Sequence, residues 1–356
     1  MKSQLPVINF ASDNWTGAHP AISQHLLAAS SGYSAPYGAS ELDAKIEQRF
    51  NELFEREVAV YFVNTGTAAN ALALAAVNRP GGVSFCHTEA HILEDECGAT
   101  EFFTHGSRLA PVKGDNGKID PEHLKAEIAR FPPGFVHAGQ PMAISITQAT
   151  EIGTLYQADE ISVIADIAKT HGLPLHMDGA RFANALVALE LSPAEMTWQR
   201  GVDIVSFGAT KNGCWCAEAL VFMEPALAKD LPFIRKRAAQ LLSKSRFIAS
   251  QFEAYLQDGL WLELARHANA MAKRLQNGLA DAEQVRLAWQ AQANEVFVVV
   301  EQAKADQLEQ LGVVFYRWSP PRAMPGLLNE NEVLLRLVTS FATEANAVDR
   351  FVELLG

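Results

Sequence analysis

Apolar and polar positions along this chain follow a rhythm of short apolar runs and longer amphipathic ones. Residues 58–64, "VAVYFVN", are β-branched and aromatic and predict a strand, and the alanine-rich "TAANALALAAV" after them predicts a helix. "GVSFCH" predicts a second strand and "HILEDECGA" a helix. "RLAPV" is followed by a helix over "DPEHLKAEIARF", with Asp120 as N-cap and Pro121 at its first position. "MAISITQAT" precedes the amphipathic "YQADEISVIADIAKTHG", which Gly172 stops. "LPLHMDGA" predicts a strand, "RFANALVALE" a helix, and "DIVSFGAT" and "EALVFM" two further strands. Strands alternating with helices predict an α/β fold whose mostly parallel sheet is covered on both faces.

After about Ala238 the pattern changes. The stretch from Ser243 to Ala282 carries Phe247, Phe252, Tyr255, Leu256, Trp261 and Leu264 at helical spacing, an apolar stripe that reads as core or subunit interface. "EVFVVVE", "KADQLEQLG", "VVFYRW", "VLLRLVTSF" and a closing helix "TEANAVDRFVELL" then suggest a smaller α+β domain. The expected division is an N-terminal segment at 1–14, a large domain at 15–240 and a small C-terminal domain at 241–356.

Composition narrows the function classes. The chain has 356 residues, 49% hydrophobic and 20% charged, enough for two domains with ordinary cores. Its apolar runs fall short of a membrane span, and its start does not read as a secretory signal. A net charge of −12 argues against a nucleic-acid partner, which needs basic surface. The four cysteines, Cys86, Cys97, Cys214 and Cys216, read as reduced thiols of a cytoplasmic protein, because Cys214-Trp-Cys216 is too tight for a usual disulfide or zinc pair.

Open α/β sheets bind ligands beyond the carboxyl ends of their strands, so chemistry belongs just after the apolar runs. "NTGTAAN" places Gly66 and Thr67 where a strand becomes a helix, either a plain turn capped by Thr67 or an anion site made by helix N-terminal amides. No Walker A pattern and no dinucleotide-binding glycine pattern is present. In "HMDGAR", His176 and Asp178 share one strand face and Arg181 follows; an Asp178–Arg181 ion pair and a two-ligand metal contact are the alternatives to a catalytic aspartate. "HTEAH", from His87 to His91, lacks the glutamate of the zinc-protease motif, and no metal is expected. Lys211 ends the run "DIVSFGATK". Unless it is an ordinary loop lysine, burial would lower its pKa and make it a nucleophile toward carbonyls. A lysine, an aspartate at the end of a neighbouring strand and a phosphate cradle upstream are together what pyridoxal 5′-phosphate requires.

The segments "FASDNWTGAHPAI", "PYGASELDAKIEQRF", "NTGTAAN", "EAHILEDECGA", "HMDGARFANA", "SFGATKNG" and "LRLVTSF" resemble the threonine aldolases of the β-eliminating lyase group, with the aspartate-aminotransferase-like fold of type I pyridoxal-phosphate enzymes. The resemblance covers nearly the whole chain. It implies a mostly parallel seven-stranded sheet between helices and cleavage of a β-hydroxy-α-amino acid at Cα–Cβ, to glycine and an aldehyde. Lys211 would bond to the cofactor aldehyde, and Asp178 would keep the pyridine nitrogen protonated. Gly66 and Thr67 would bind the phosphate, with Lys244 or Arg246 completing that site. His91 would stack on the ring and serve as base, with His87 and Glu96 as alternatives, and Arg181 would sit beside the ring. Ser12 and Arg336 would grip the substrate carboxylate, and Tyr37 would reach a neighbouring subunit's site in a homo-oligomer, a dimer of dimers. Outside the resemblance, Arg336 reads equally as a surface residue and Tyr37 as a packing aromatic. The chain departs from the family at "ITQATEIG", at Thr210, at Asp95 and at "LLSKSRF", so which β-hydroxy amino acid it prefers, threonine-like or phenylserine-like, is not readable. β-Elimination, transamination and a non-enzymatic binding role are the competing functions.

Overall fold

The computed structural model describes residues 8–280 and 282–355. The apolar runs of the first two thirds pair into one sheet of seven strands: β1 (Ala59–Val63), β2 (Gly82–His87), β3 (Arg108–Val112), β4 (Gln140–Thr147), β5 (Leu175–Gly179), β6 (Ile204–Gly208) and β7 (Glu218–Phe222), in the order β1-β7-β6-β5-β4-β2-β3. The strands from β3 to β6 are parallel. β7 runs antiparallel to both β6 and β1.

Both faces are buried, which is why these strands read as unbroken apolar runs. Met177, Val205, Phe207 and Val221 enter the large core with Phe50, Phe182 and Phe252. Ile204, Leu220 and Phe222 face the other way, onto Ala68, Ala69 and Leu72 of the helix Gly66–Ala76. That helix is buried along most of its length, and its small alanines let it lie close on the sheet.

The last third forms a second, antiparallel sheet of β8 (Val285–Leu287), β9 (Glu295–Glu301), β10 (Tyr316–Trp318) and β11 (Glu332–Val338), ordered β10-β11-β9-β8. Val296, Val298, Leu335, Leu337 and Phe351 build its core. Residues 1–7 of the expected N-terminal segment lie outside the described residues. Ile8 and Phe10 belong to the small core, and Phe10 bonds on both sides: its N–H donates to Val314 O and its carbonyl accepts from Val338 N, each at 2.8 Å.

Two expected elements differ in detail. "HILEDECGA" is not one helix: His91–Glu94 and Ala99–Phe103 are separated by Cys97 (φ 52°) and Gly98 (φ 73°), two successive left-handed residues. The stretch from Ser243 onward breaks at Asp258 (φ 52°) and Gly259 (φ 76°) into the helices Arg246–Leu256 and Leu260–Leu279. The first of these, with Trp261 and Leu264 of the second, packs in the large core, whereas Ala272, Leu275 and Leu279 pack in the small one. The two cores therefore meet along the helix Leu260–Leu279.

The ends of β5 and β6 come very close. A Cβ on Gly208 would lie 2.6 Å from Ala180 O and 2.8 Å from Ala180 Cα, backbone atoms that cannot turn aside. Gly208→Ala is expected to push these ends apart and to lower stability by about 1–3 kcal/mol, read as the shift of the urea midpoint.

Candidate functional site

A cleft of about 280 Å³ opens at the carboxyl ends of the parallel strands. Lys211 reaches it from the 3-10 turn Thr210–Asn212 directly after β6. The loop around it is clamped from behind. Asn212 Nδ2 donates to Tyr255 Oη and Trp261 O, both at 2.8 Å, and Gln251 Oε1 accepts from Trp215 N at 2.8 Å and Cys216 N at 3.0 Å. Lys211 Nζ itself makes no hydrogen bond or ion pair among the described residues. Burial, with the nearby Arg181 guanidinium, holds its pKa below the usual lysine value, while Asp13, Asp178 and Glu295 pull it back up.

On the adjacent strand, Asp178 lies beneath the helix Gly66–Ala76. Its Oδ1 accepts from Ala180 N at 2.9 Å and its Oδ2 from Asn70 Nδ2 at 2.8 Å. His176, two residues back on the same face, bonds Ser145 Oγ and Ser206 Oγ through its two ring nitrogens, each at 2.9 Å. Burial lowers its pKa to about 4, so it is a satisfied neutral histidine of the core.

The helix N-terminus is capped by Thr65, not by Thr67. Thr65 Oγ1 accepts from Ala68 N at 3.1 Å and Thr65 O from Ala69 N at 3.0 Å. Gly66 and Thr67 are the amides left over, and both residues line the cleft. No atom lies within 4 Å of where a Gly66 Cβ would stand, so an anion can approach this backbone closely.

His91 closes another side. Its backbone N–H donates to Glu151 Oε1 at 2.8 Å, and its Nδ1 lies 2.9 Å from Glu96 Oε1. That hydrogen bond raises the His91 pKa, while burial raises the carboxyl of Glu96. Burial also lifts two other acids of the cleft, Glu151 and Glu218, to about 7 each. His87 is spent elsewhere: Nε2 is 3.1 Å from Gly114 O and Nδ1 accepts from Glu89 N.

Arg181 lines the cleft but does not pair with Asp178. Its Nε and Nη2 donate to Asp13 at 2.8 and 3.1 Å, and its Nη1 is 3.4 Å from Glu295 Oε2. Burial alone would lower the arginine and raise the aspartate; their pairing carries both pKa values the other way. Glu295 Oε1 also accepts from Arg336 Nη2 at 2.6 Å, and the Arg336 guanidinium lies 4.7 Å from the Trp318 ring centre.

Lys211, Asp178, Arg181, Gly66, Thr67 and His91 thus share one cleft. Ser12, Tyr37, Arg246 and Arg336 do not line it. Ser12 Oγ accepts from Asn14 N, and Arg336 is held back by Glu295. Tyr37 is exposed beneath Lys236, and Arg246 donates to the carbonyls of Ser31 and Gly32. Asn70, Glu151, Glu218 and Asp13 were not foreseen. Asn70 had a signal, a lone amide inside an otherwise apolar helical run; so did Glu218, an acid opening a buried strand.

The beta-eliminating lyase family matches residues 9–303. This chain belongs to that family. It is 40% identical to a low specificity L-threonine aldolase of a Pseudomonas species and 41% identical to one of Pseudomonas aeruginosa, each over 86% of this chain and 88% of the relative. A threonine aldolase structure from Leishmania major superimposes with a TM-score of 0.90 at 31% identity, covering 98% of both chains. The fold, a mostly parallel seven-stranded sheet with a small antiparallel one, is that of the threonine aldolases within the beta-eliminating lyases.

Glu218 gives this cleft a pH signature. A carboxyl whose folded pKa is raised contributes favourably below its ordinary pKa and loses that contribution as pH climbs to about 7. Replacing it, Glu218→Gln, is expected to remove its share of the slope and leave that of Glu151: the variant should gain thermal stability on the unaltered protein between pH 5 and 8, and parallel Tm curves would count against the assignment.

Proposed function

We propose that this beta-eliminating lyase is a pyridoxal-phosphate-dependent carbon–carbon lyase that cleaves L-threonine-like β-hydroxy-α-amino acids to glycine and an aldehyde. The observation that carries the reading is the meeting, in one cleft, of an unpaired lysine, a buried aspartate and free helix amides, in a chain about two fifths identical to low specificity L-threonine aldolases.

These residues suit the cofactor. Open backbone at Gly66 and the Thr67 amide and hydroxyl fit a phosphate. Asp178, with one donor on each oxygen, keeps lone pairs for a pyridinium N–H. The lowered pKa of Lys211 leaves more of its amine unprotonated for a carbonyl. When bound, pyridoxal phosphate supplies an electron sink for the pair released from Cα–Cβ.

The chain's own groups do the rest. Arg336, with Ser12, holds the substrate carboxylate; the support is that Glu295 ties Arg336 to the cleft-lining Arg181. His91 takes the β-hydroxyl proton. Its side chain is 40% exposed whereas that of Glu96 is 0% exposed, so the histidine, not the glutamate, meets a ligand. Arg246 and Tyr37 act toward a partner chain's cleft. In support, Leu27, Tyr33, Tyr37 and Phe233 leave apolar surface exposed around them, an expected face for a homo-oligomer arranged as a dimer of dimers. Cytoplasmic residence is proposed from four cysteines that are all free. No helix among the described residues is long and apolar enough to cross a membrane.

With L-threonine or phenylserine the enzyme should release glycine and the matching aldehyde; a keto acid and ammonia would contradict this reading. Lys211→Ala should lose the near-ultraviolet to visible band of bound cofactor and turnover together. Asp178→Asn should retain some cofactor and lose turnover by orders of magnitude; an unchanged rate would remove its role. Sedimentation should find a dimer or larger, and a monomer of full activity would exclude shared sites.

A further inference from the structure

An imidazole acts as a base only through an unprotonated ring nitrogen, and which nitrogen that is depends on what the other one bonds. His91 Nδ1 lies 2.9 Å from Glu96 Oε1. The same oxygen accepts from Asn70 Nδ2 at 2.9 Å, and that amide nitrogen also donates to Asp178 Oδ2 at 2.8 Å. Asn70 is buried and can take only this orientation, because the reverse would set its carbonyl oxygen against two carboxyl groups. Glu96 Oε1 is therefore an acceptor toward Asn70, and its remaining lone pair faces His91.

The chain path that allows this is specific. Cys97 and Gly98, both left-handed, break the segment after His91 and leave Glu96 facing back at it. Glu96 Oε2 is buried with no partner among the described residues, so Oε1 is the oxygen through which Glu96 acts.

Building on the aldolase reading, we propose that Glu96 is a positioning residue that locks His91 in the Nδ1–H tautomer and so presents Nε2 to the β-hydroxyl, with Asn70 joining this pair to the cofactor carboxylate Asp178. In the step it serves, the substrate O–H bond breaks and its proton moves to His91 Nε2. The O–H pair becomes the carbonyl bond of the departing aldehyde. The Cα–Cβ pair stays with the glycine fragment, to which one proton is then returned. The imidazolium formed on His91 keeps its Nδ1–H on Glu96. Other groups face this histidine: Asp178 favours its charged form, Lys211 and burial oppose it, and Glu151 holds its backbone N–H.

The test reads the ring nitrogens directly. Nitrogen-15 NMR of histidine-labelled holoenzyme, with His91→Gln for assignment, should show His91 bearing its proton on Nδ1 and none on Nε2 at alkaline pH. Glu96→Gln keeps an acceptor but loses the charge; the tautomer should stay while the His91 titration midpoint and the acid limb of kcat move to lower pH together. Glu96→Leu loses the acceptor; the tautomers should mix and kcat should fall by about 100-fold or more, with KM and the cofactor band close to those of the unaltered enzyme. A proton on Nε2 in the unaltered enzyme overturns the proposal, and so does a Gln variant whose midpoint and acid limb do not move. The unaltered enzyme and the Gln variant suffice if the Leu variant does not fold. Absence of glycine release from threonine by the unaltered enzyme overturns the aldolase reading instead, and the NMR spectrum separates that failure from this one.

Discussion

One amine, held partly out of water with no carboxylate bonded to it among the described residues, is the constraint around which this structure is arranged. A lysine paired directly to Asp178 would be a stable ion pair and a poor nucleophile. Among the described residues Lys211 makes no such pair, while the aspartate is held by Asn70 and Ala180, one donor on each oxygen. Asp13 is occupied by Arg181, and Glu295 by Arg181 and Arg336. The neighbouring negative charge pulls the lysine's pKa back up without an ion pair to it among the described residues. Rigidity comes from the clamp behind the loop, where Asn212 and Gln251 tie the lysine turn to two helices of the large core.

The same accounting explains why the site lies where the parts of the chain meet. Asp13 comes from the N-terminal segment, Arg181 from the turn after β5, and Glu295 and Arg336 from the adjacent strands β9 and β11 of the small sheet. Buried charges of this kind bring little net stability, yet losing one member of such a network costs about 3–5 kcal/mol. The network therefore ties the small sheet to the cleft and makes the position of Arg181 depend on that sheet.

Much of this was legible in the chain itself. Strands with two buried faces announce themselves as apolar runs, and the groups that end them, Gly66, His91, Asp178 and Lys211, met in one cleft because a parallel sheet brings its carboxyl ends to one edge. What stayed hidden depends on distance in space without regularity in sequence. Asn70 and Asp178 are 108 positions apart, and Asp13 and Arg181 are 168 apart. The inward turn of Glu96 was hidden for a local reason: Cys97 adopts a left-handed backbone that its residue type does not advertise. Ser12, Tyr37, Arg246 and Arg336 were suggested by resemblance, and a single chain brings none of them into the cleft; Tyr37 is exposed, and Arg246 is spent on the carbonyls of Ser31 and Gly32.

The central claim is that Lys211 alone carries the cofactor, opposite Asp178. Its most direct test is reduction of the purified protein with borohydride, then proteolysis and peptide mass spectrometry. The account predicts a phosphopyridoxyl group on the peptide that contains Lys211 and on no other lysine. A label on a different lysine, or none in a protein that holds the cofactor and turns over, would contradict it.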